Sequence, residues 1–367
     1  MERLTGAGTI SFPTRLDRIK GSLLGGAVGD ALGAGIEFLS LDEIRQRFGL
    51  FGVQDFSPAY GREGAITDDT QMTLFTAEGV MRASDRGAER GICHPPSIVH
   101  HAYLRWLLTQ GERPKRRDFE IRTDGWLYGS RALHNRRAPG NTCLSALCAA
   151  TGWGEPAVAQ NNSKGCGGVM RVAPIGLFAP LIGEDAEVFT LATEVAALTH
   201  GHPAGSLSAG HFAVAIAALL RGGPLSHALD AADSELRRHG GNDDVTRAID
   251  AARMLAARGR PSAEQLESLG CGWVAEEALA IAVCCALVAK DFRDGVLLAV
   301  NHSGDSDSTG SIAGNLLGVH FGFDAIPSTW LERLELREEI ERLATDLNAF
   351  VSGTTTWPQV LEAYPPN

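Results

Sequence analysis

The chain has 367 residues and a net charge of −11 with the charges interspersed, which argues against a general nucleic-acid-binding surface. Its seven cysteines are odd in number and contain no CxxC pair, so neither a disulfide framework nor a zinc ribbon is expected, and a reducing cytoplasm is. Met1 to Phe12 shows no basic start before an apolar block, and Asp30 and Glu37 interrupt the most apolar window, Leu23 to Leu39; no secretory signal and no membrane span are expected.

Length alone allows two or three domains, and large single domains occur as well. Residues 1–14 read as a tail. Asp17 to Leu32 is helical by period, with Gly21, Gly25, Gly29 and Gly33 along one face. Gly inside a helix costs roughly 1 kcal/mol relative to Ala, so four in register suggest close approach by another helix. Leu41 to Tyr60 is turn-rich. A helix is expected from the Thr67 loop to about Ser84, then a loop over Asp85 to Pro96 with Pro95-Pro96 as a helix stop, then a helix over Ser97 to Thr109. Gly111 to Asn141 is irregular, basic and aromatic, and is expected on the surface beside a cleft. Thr142 to Thr151 is a short helix, and Asn161 to Gly168 a glycine-rich polar loop before an apolar run to Phe178.

Asp185 to Thr199 and Ala204 to Leu220 are helical, separated by His200-Gly201-His202-Pro203. Further helices are expected over Leu225 to His239, Asp244 to Ala257, Trp273 to Ala289 and Phe292 to Asn301, with a charged pair over Trp330 to Phe350. After Asp307 the glycine device returns, at Gly310, Gly314, Gly318 and Gly322. The two striped helices are expected to cross, which would bring Asp30 and Glu37 near Asp305 and Asp307; the alternative is that each stripe packs elsewhere. Alternating β patterns are scarce, and no linker or tandem repeat is visible. The expectation is one all-α domain over residues 15–352, a bundle of many helices, with terminal tails 1–14 and 353–367.

Two loops carry the chemistry. Residues 305–309, Asp-Ser-Asp-Ser-Thr, hold two carboxylates and three hydroxyls immediately before a helix. Carboxylates two apart in a loop can turn to one hard cation; the alternative is a capping turn, since Asp and Ser are preferred caps. Thr67-Asp68-Asp69-Thr70 repeats the chemistry, again ahead of a helix. Two such loops suggest two halves of one site.

Five stretches in order carry a resemblance: Gly29-Asp30-Ala31-Leu32-Gly33-Ala34 with Glu37; Thr67-Asp68-Asp69-Thr70; Ser163-Lys164-Gly165-Cys166-Gly167-Gly168-Val169-Met170-Arg171-Val172-Ala173-Pro174; Thr199-His200; and Gly304-Asp305-Ser306-Asp307-Ser308-Thr309. Together, over residues 15 to 325, the chain resembles the ADP-ribosylglycohydrolase family. The resemblance implies an all-α fold with a binuclear metal cleft holding two Mg²⁺ or Mn²⁺ ions. Its ligands would be Thr67, Asp68, Asp69, Asp305, Asp307 and Ser308, all hard oxygen donors.

It further implies hydrolysis of the bond between ADP-ribose and a modified side chain, arginine being expected over serine or O-acetyl-ADP-ribose. The transition state would have oxocarbenium character. Glu37 would handle the proton, with Asp305 as its rival; the alternative for Glu37 is a surface carboxylate at a helix end. Asp30 is expected to hold the loops by hydrogen bonds. The loop Ser163, Lys164, Gly165, Cys166, Gly167 and Gly168 would cradle the diphosphate with backbone N–H groups, with Lys164 adding charge, or else be a flexible turn. Cys166 reads as a packing residue rather than a nucleophile. His200 would donate to phosphate, or else be a satisfied core histidine. Gly140 and Asn141 would line the ribose side. Trp273 would stack on a base, or else be a buried helix-start residue. His94, His100, His101, Cys284 and Cys285 read as ordinary surface or core residues. The partner expected is an ADP-ribosylated protein or an ADP-ribose derivative. A non-catalytic binder and a two-metal phosphohydrolase are the rival readings.

Overall fold

In the computed structural model, residues 12–116, 119–152 and 158–366 are described. The two glycine-striped segments form helices, Arg15–Gly33 and Ser306–Phe321, and they cross stripe to stripe. A methyl group built on Gly25 would overlap the Gly314 carbonyl and lie 2.8 Å from the Phe292 ring. One on Gly21 would lie 2.8 Å from the Gly322 carbonyl carbon. Bare backbone on both faces is therefore what allows this approach, and the helix-propensity loss at each glycine is the condition for it. The early helix starts in a capping box: Asp17 N–H donates to Thr14 Oγ1 at 3.2 Å, and Thr14 N–H to the Asp17 carboxylate at 2.9 Å. Of the expected tail 1–14, residues 1–11 lie outside the described residues.

The other helices pack around this pair, and among the described residues no strand forms; the only ladder-like contacts there are two isolated bridges, Ala59 to Arg62 and Gly165 to Val274. The fold is all-α. Pro203–Leu220 is apolar on all sides, and 83% of it is buried in the protein. It is the one helix among the described residues long and apolar enough to cross a membrane, and here it serves as a core helix. Ala275–Val288 is likewise buried nearly throughout.

Several expected boundaries move. The helix after Thr67 runs over Asp68–Arg90, past Ser84, until Gly91 takes a left-handed conformation (φ 70°) that ends it. Pro95-Pro96 opens the next helix, Pro95–Thr109, rather than stopping one, because first-turn N–H groups have no intrahelical acceptor to lose. The expected C-terminal pair is a single turn, Ser328–Leu331, and one helix, Arg337–Ser352, divided by Leu336 at φ 58°. Beyond it, Trp357–Ala363 is helical and Tyr364 is buried, its hydroxyl donating to Asp346 at 2.7 Å.

A buried charge cluster ties these parts together. Glu78 accepts from Arg82 and from Arg105, both at 2.9 Å, with all three side chains fully buried. Arg82 also reaches Asp124 at 2.8 Å and the Pro365 carbonyl at 3.1 Å. Asp124, in the irregular stretch, and Pro365 are thereby fastened to the helix that begins at Asp68.

Candidate active site

The glycine crossing sets the geometry. At Gly33 the end of the early helix abuts the backbone of Asp307 at the start of the late one. Glu37, one turn further on, lies over the same point: one oxygen each of Glu37, Asp305 and Asp307 fall within 4.8 Å of one another. Asp30 sits beneath and is fully buried. Its carboxylate accepts from the Thr67 N–H (3.0 Å to each oxygen), the Thr70 N–H (3.1 Å) and the Thr70 hydroxyl (2.5 Å). One buried carboxylate thus clamps the Thr67 turn onto the early helix.

That clamp aims Asp68 and Asp69. Asp68 donates its N–H to the Arg137 carbonyl at 3.0 Å and accepts from the Gly140 N–H at 3.3 Å. Thr67 caps the helix, its hydroxyl accepting from the Asp69 N–H at 3.3 Å. The two acidic loops touch directly, since Ser308 Oγ donates to Asp69 Oδ2 at 3.3 Å. Asp307 accepts from the Ser308 N–H at 3.0 Å.

A cavity of about 510 Å³ opens over this floor. Glu37, Asp68, Asp69, Asp305, Asp307 and Ser308 line it, as do Gly140, Asn141, Gly165, Cys166, Gly167, His200 and Trp273. Among the expected site residues, Thr67, Ser163 and Lys164 are not part of its wall. Ser163 faces Thr142, their hydroxyls 3.1 Å apart. Lys164 pairs with Glu276 and lies 3.8 Å from Asp244, so its ammonium is engaged by carboxylates. The loop itself is held by backbone bonds: the Cys166 N–H donates to Trp273 O (3.2 Å) and the Ala275 N–H to Lys164 O (2.8 Å). The Cys166 N–H is therefore spent inside the protein. Trp273 is 40% exposed at the cavity wall, not buried at its helix start.

The electrostatics are those of crowded acids. Burial first, then repulsion from Asp307, push Asp68, Asp69 and Asp305 well above the ordinary carboxyl range. The same causes, with further repulsion from Asp305, raise Glu37 to about 10. Asp30 rises to about 7 despite its donors. Asp69 Oδ1 is buried and has no hydrogen-bond partner. Close carboxyls with an orphaned acceptor need either protons or a cation, and the donors are all oxygen. The group fits a hard divalent ion.

Cys166 lies against this floor, its thiol donating to Asp305 Oδ2 at 2.8 Å. Burial and the charges of Asp305 and Asp69 hold the thiol protonated, which suits a donor and not a nucleophile. His200 is buried with Nδ1 2.8 Å from Thr199 Oγ1. Burial, then Arg171, lowers its pKa to about 3, so the ring is neutral.

Sequence reasoning missed several wall residues. Phe38 follows Glu37 in a left-handed conformation (φ 71°) and stacks on Trp273 with ring centroids 5.2 Å apart. Its position next to Glu37 was the one signal available. Arg136 also lines the cavity and pairs with Glu112 at 3.0 Å. Arg171 is not part of the wall but lies behind it, donating to Thr199 Oγ1 at 2.6 Å; it falls inside a stretch that carries the resemblance, yet nothing in its spacing points to Thr199.

Comparison with known proteins agrees with this architecture. The ADP-ribosylglycohydrolase family model matches residues 11–356. The chain is 27% identical to the ADP-ribosyl-[dinitrogen reductase] glycohydrolase of Rhodospirillum rubrum, over 90% of this chain and 94% of that one. It is 26% identical to the ADP-ribosylarginine hydrolase of Pseudomonas putida, over 93% and 80%. A solved structure described as an ADP-ribosylglycohydrolase-related protein complex superposes with a TM-score of 0.65 at 28% identity, covering 93% of this chain and 99% of the other.

Proposed function

Because the chain belongs to the ADP-ribosylglycohydrolase family and is thus a hydrolase of glycosyl bonds, we propose that it releases ADP-ribose from modified arginine side chains with the help of two Mg²⁺ or Mn²⁺ ions. The observation that carries this reading is the contact of the two acidic loops beneath Glu37, with Ser308 Oγ 3.3 Å from Asp69 Oδ2. The arginine preference draws on the Pseudomonas putida relative named above. The catalytic unit is taken as residues 15–352, acting in the cytoplasm.

In this reading Thr67, Asp68, Asp69, Asp305, Asp307 and Ser308 hold the cations. Bound there, divalent ions supply Lewis acidity and fixed anchoring points for the ribose hydroxyls. The chain's own residues do the rest. Glu37, which would be ionised once cations offset the repulsion from Asp307 and Asp305, accepts the proton of the water that attacks the anomeric carbon and returns it to the leaving nitrogen. Asp305 is the second candidate for that proton, and Cys166 orients it by donating to Oδ2. Asp30 keeps the Thr67 turn in place. Gly140 and Asn141 border the ribose, and the Gly165, Cys166 and Gly167 wall with His200 receives the diphosphate.

The test is release of ADP-ribose from ADP-ribosylarginine protein, serine-linked ADP-ribose and O-acetyl-ADP-ribose, each with Mg²⁺ or Mn²⁺. Intact ADP-ribose from the arginine substrate is expected. AMP as product would point to a phosphohydrolase. No release from any of the three, with ADP-ribose still bound, would point to a binder.

A further inference from the structure

Arg171 is fully buried, and its guanidinium meets neutral groups, among them the Cys143 sulfur at 3.3 Å and the Met72 sulfur at 3.7 Å. Its guanidinium lies 4.4 Å from the Tyr103 ring centre, and Nη2 donates to the Val195 carbonyl at 3.3 Å and to Thr199 Oγ1 at 2.6 Å. Retaining an ion in such a place is costly unless its surroundings use it. The direction of the Thr199 bond is unambiguous, because a guanidinium only donates.

Thr199 has a single hydroxyl hydrogen left to place. Its candidate acceptors are the Ala196 carbonyl at 3.4 Å, the Cys143 sulfur, which is a weak acceptor, and His200 Nδ1 at 2.8 Å. The Ala196 carbonyl already accepts from the backbone N–H groups of Thr199 and His200. Distance and occupancy both send the hydrogen to Nδ1. A neutral imidazole that accepts at Nδ1 carries its own proton on Nε2. Nε2 faces the glycine wall: a methyl group built on Gly167 would lie 3.3 Å from it, and one on Gly165 3.4 Å. Both glycines and His200 line the cavity.

We propose that Arg171 and Thr199 are positioning residues that lock His200 as the Nε2–H tautomer, so that a ring N–H donates into the diphosphate cradle. This rests on the functional reading above for the identity of the ligand. The low pKa of His200 agrees with it, since the ring donates as a neutral group.

The test combines ring ¹⁵N spectra of the histidine-labelled, ligand-free protein with titration by ADP-ribose and Mg²⁺. The wild type should show Nδ1 unprotonated and Nε2 protonated. Thr199→Val should disturb that pattern and weaken ADP-ribose binding roughly ten-fold, the loss of one hydrogen bond to a charged group. Thr199→Ser, which keeps the hydroxyl, should restore both; it also serves if the valine variant folds poorly. A wild-type ring protonated on Nδ1, or an unchanged tautomer in Thr199→Val, overturns the relay even if ADP-ribose binds. Absence of ADP-ribose binding by the wild type overturns the functional reading and the phosphate role together, whatever the tautomer.

Discussion

At the scale of single residues, the site is a set of carboxyls kept closer than water would allow. Carboxyls whose folded-state pKa is raised favour folding below the ordinary carboxyl range and lose that contribution as pH rises toward the folded values, about 10 for Glu37. The metal-free protein should therefore lose stability between mildly acidic and mildly alkaline pH. Divalent ions should restore it, because ligands bind once deprotonated. Calorimetry at pH 5.5 and pH 8 checks this: the Tm gain from Mg²⁺ or Mn²⁺ should be larger at pH 8, and an equal gain at both would count against ion binding by these acids. Asp69→Asn should abolish most of that gain. Glu37→Gln should keep the gain but lower kcat on ADP-ribosylarginine by about 10²- to 10⁴-fold, separating the proton role from cation binding. If both variants lose the thermal gain equally, Glu37 is a ligand and the assignment is wrong.

Among elements, the helix pair Arg15–Gly33 and Ser306–Phe321 decides where the acids meet. In an exposed helix, Gly→Ala gains up to about 1 kcal/mol. Here Gly25→Ala puts a methyl group into the Gly314 carbonyl and against Phe292, so overpacking should cost about 1–3 kcal/mol instead. Chemical denaturation reads the sign. Activity should fall too, because separating the helices separates Glu37 from Asp305. A second element-level prediction concerns Glu78. Its removal leaves Arg82 and Arg105 buried without their shared carboxylate, and Glu78→Ala should destabilise by about 3–5 kcal/mol. The corresponding urea midpoint shift should appear with little change in KM, since none of the three lines the cavity.

For the whole molecule, the C-terminal residues close the structure. Tyr364 is buried against Asp346, and the Pro365 carbonyl accepts from Arg82. Truncation after Ser352 should lower stability by about 4–6 kcal/mol, from lost aromatic burial and two hydrogen bonds to charged groups. Turnover measured well below Tm should be kept; if turnover disappears while the protein remains folded, those residues serve the site directly. Much of the rest was legible in the chain itself. Glycine registers of four announced a close helix crossing, and acid-hydroxyl clusters ahead of apolar runs announced the loops, because both are local patterns imposed by helix geometry. Helix ends are less legible: Gly91 and Leu336 stop or split helices through left-handed backbone, and Pro95-Pro96 begins one. Three-dimensional packing alone decided that Lys164 turns to Glu276, that Phe38 covers Trp273, and that Arg171 reaches His200 through Thr199. Those partners are distant or differently spaced in sequence, and their meeting depends on how whole helices are set against one another, which no local periodicity encodes.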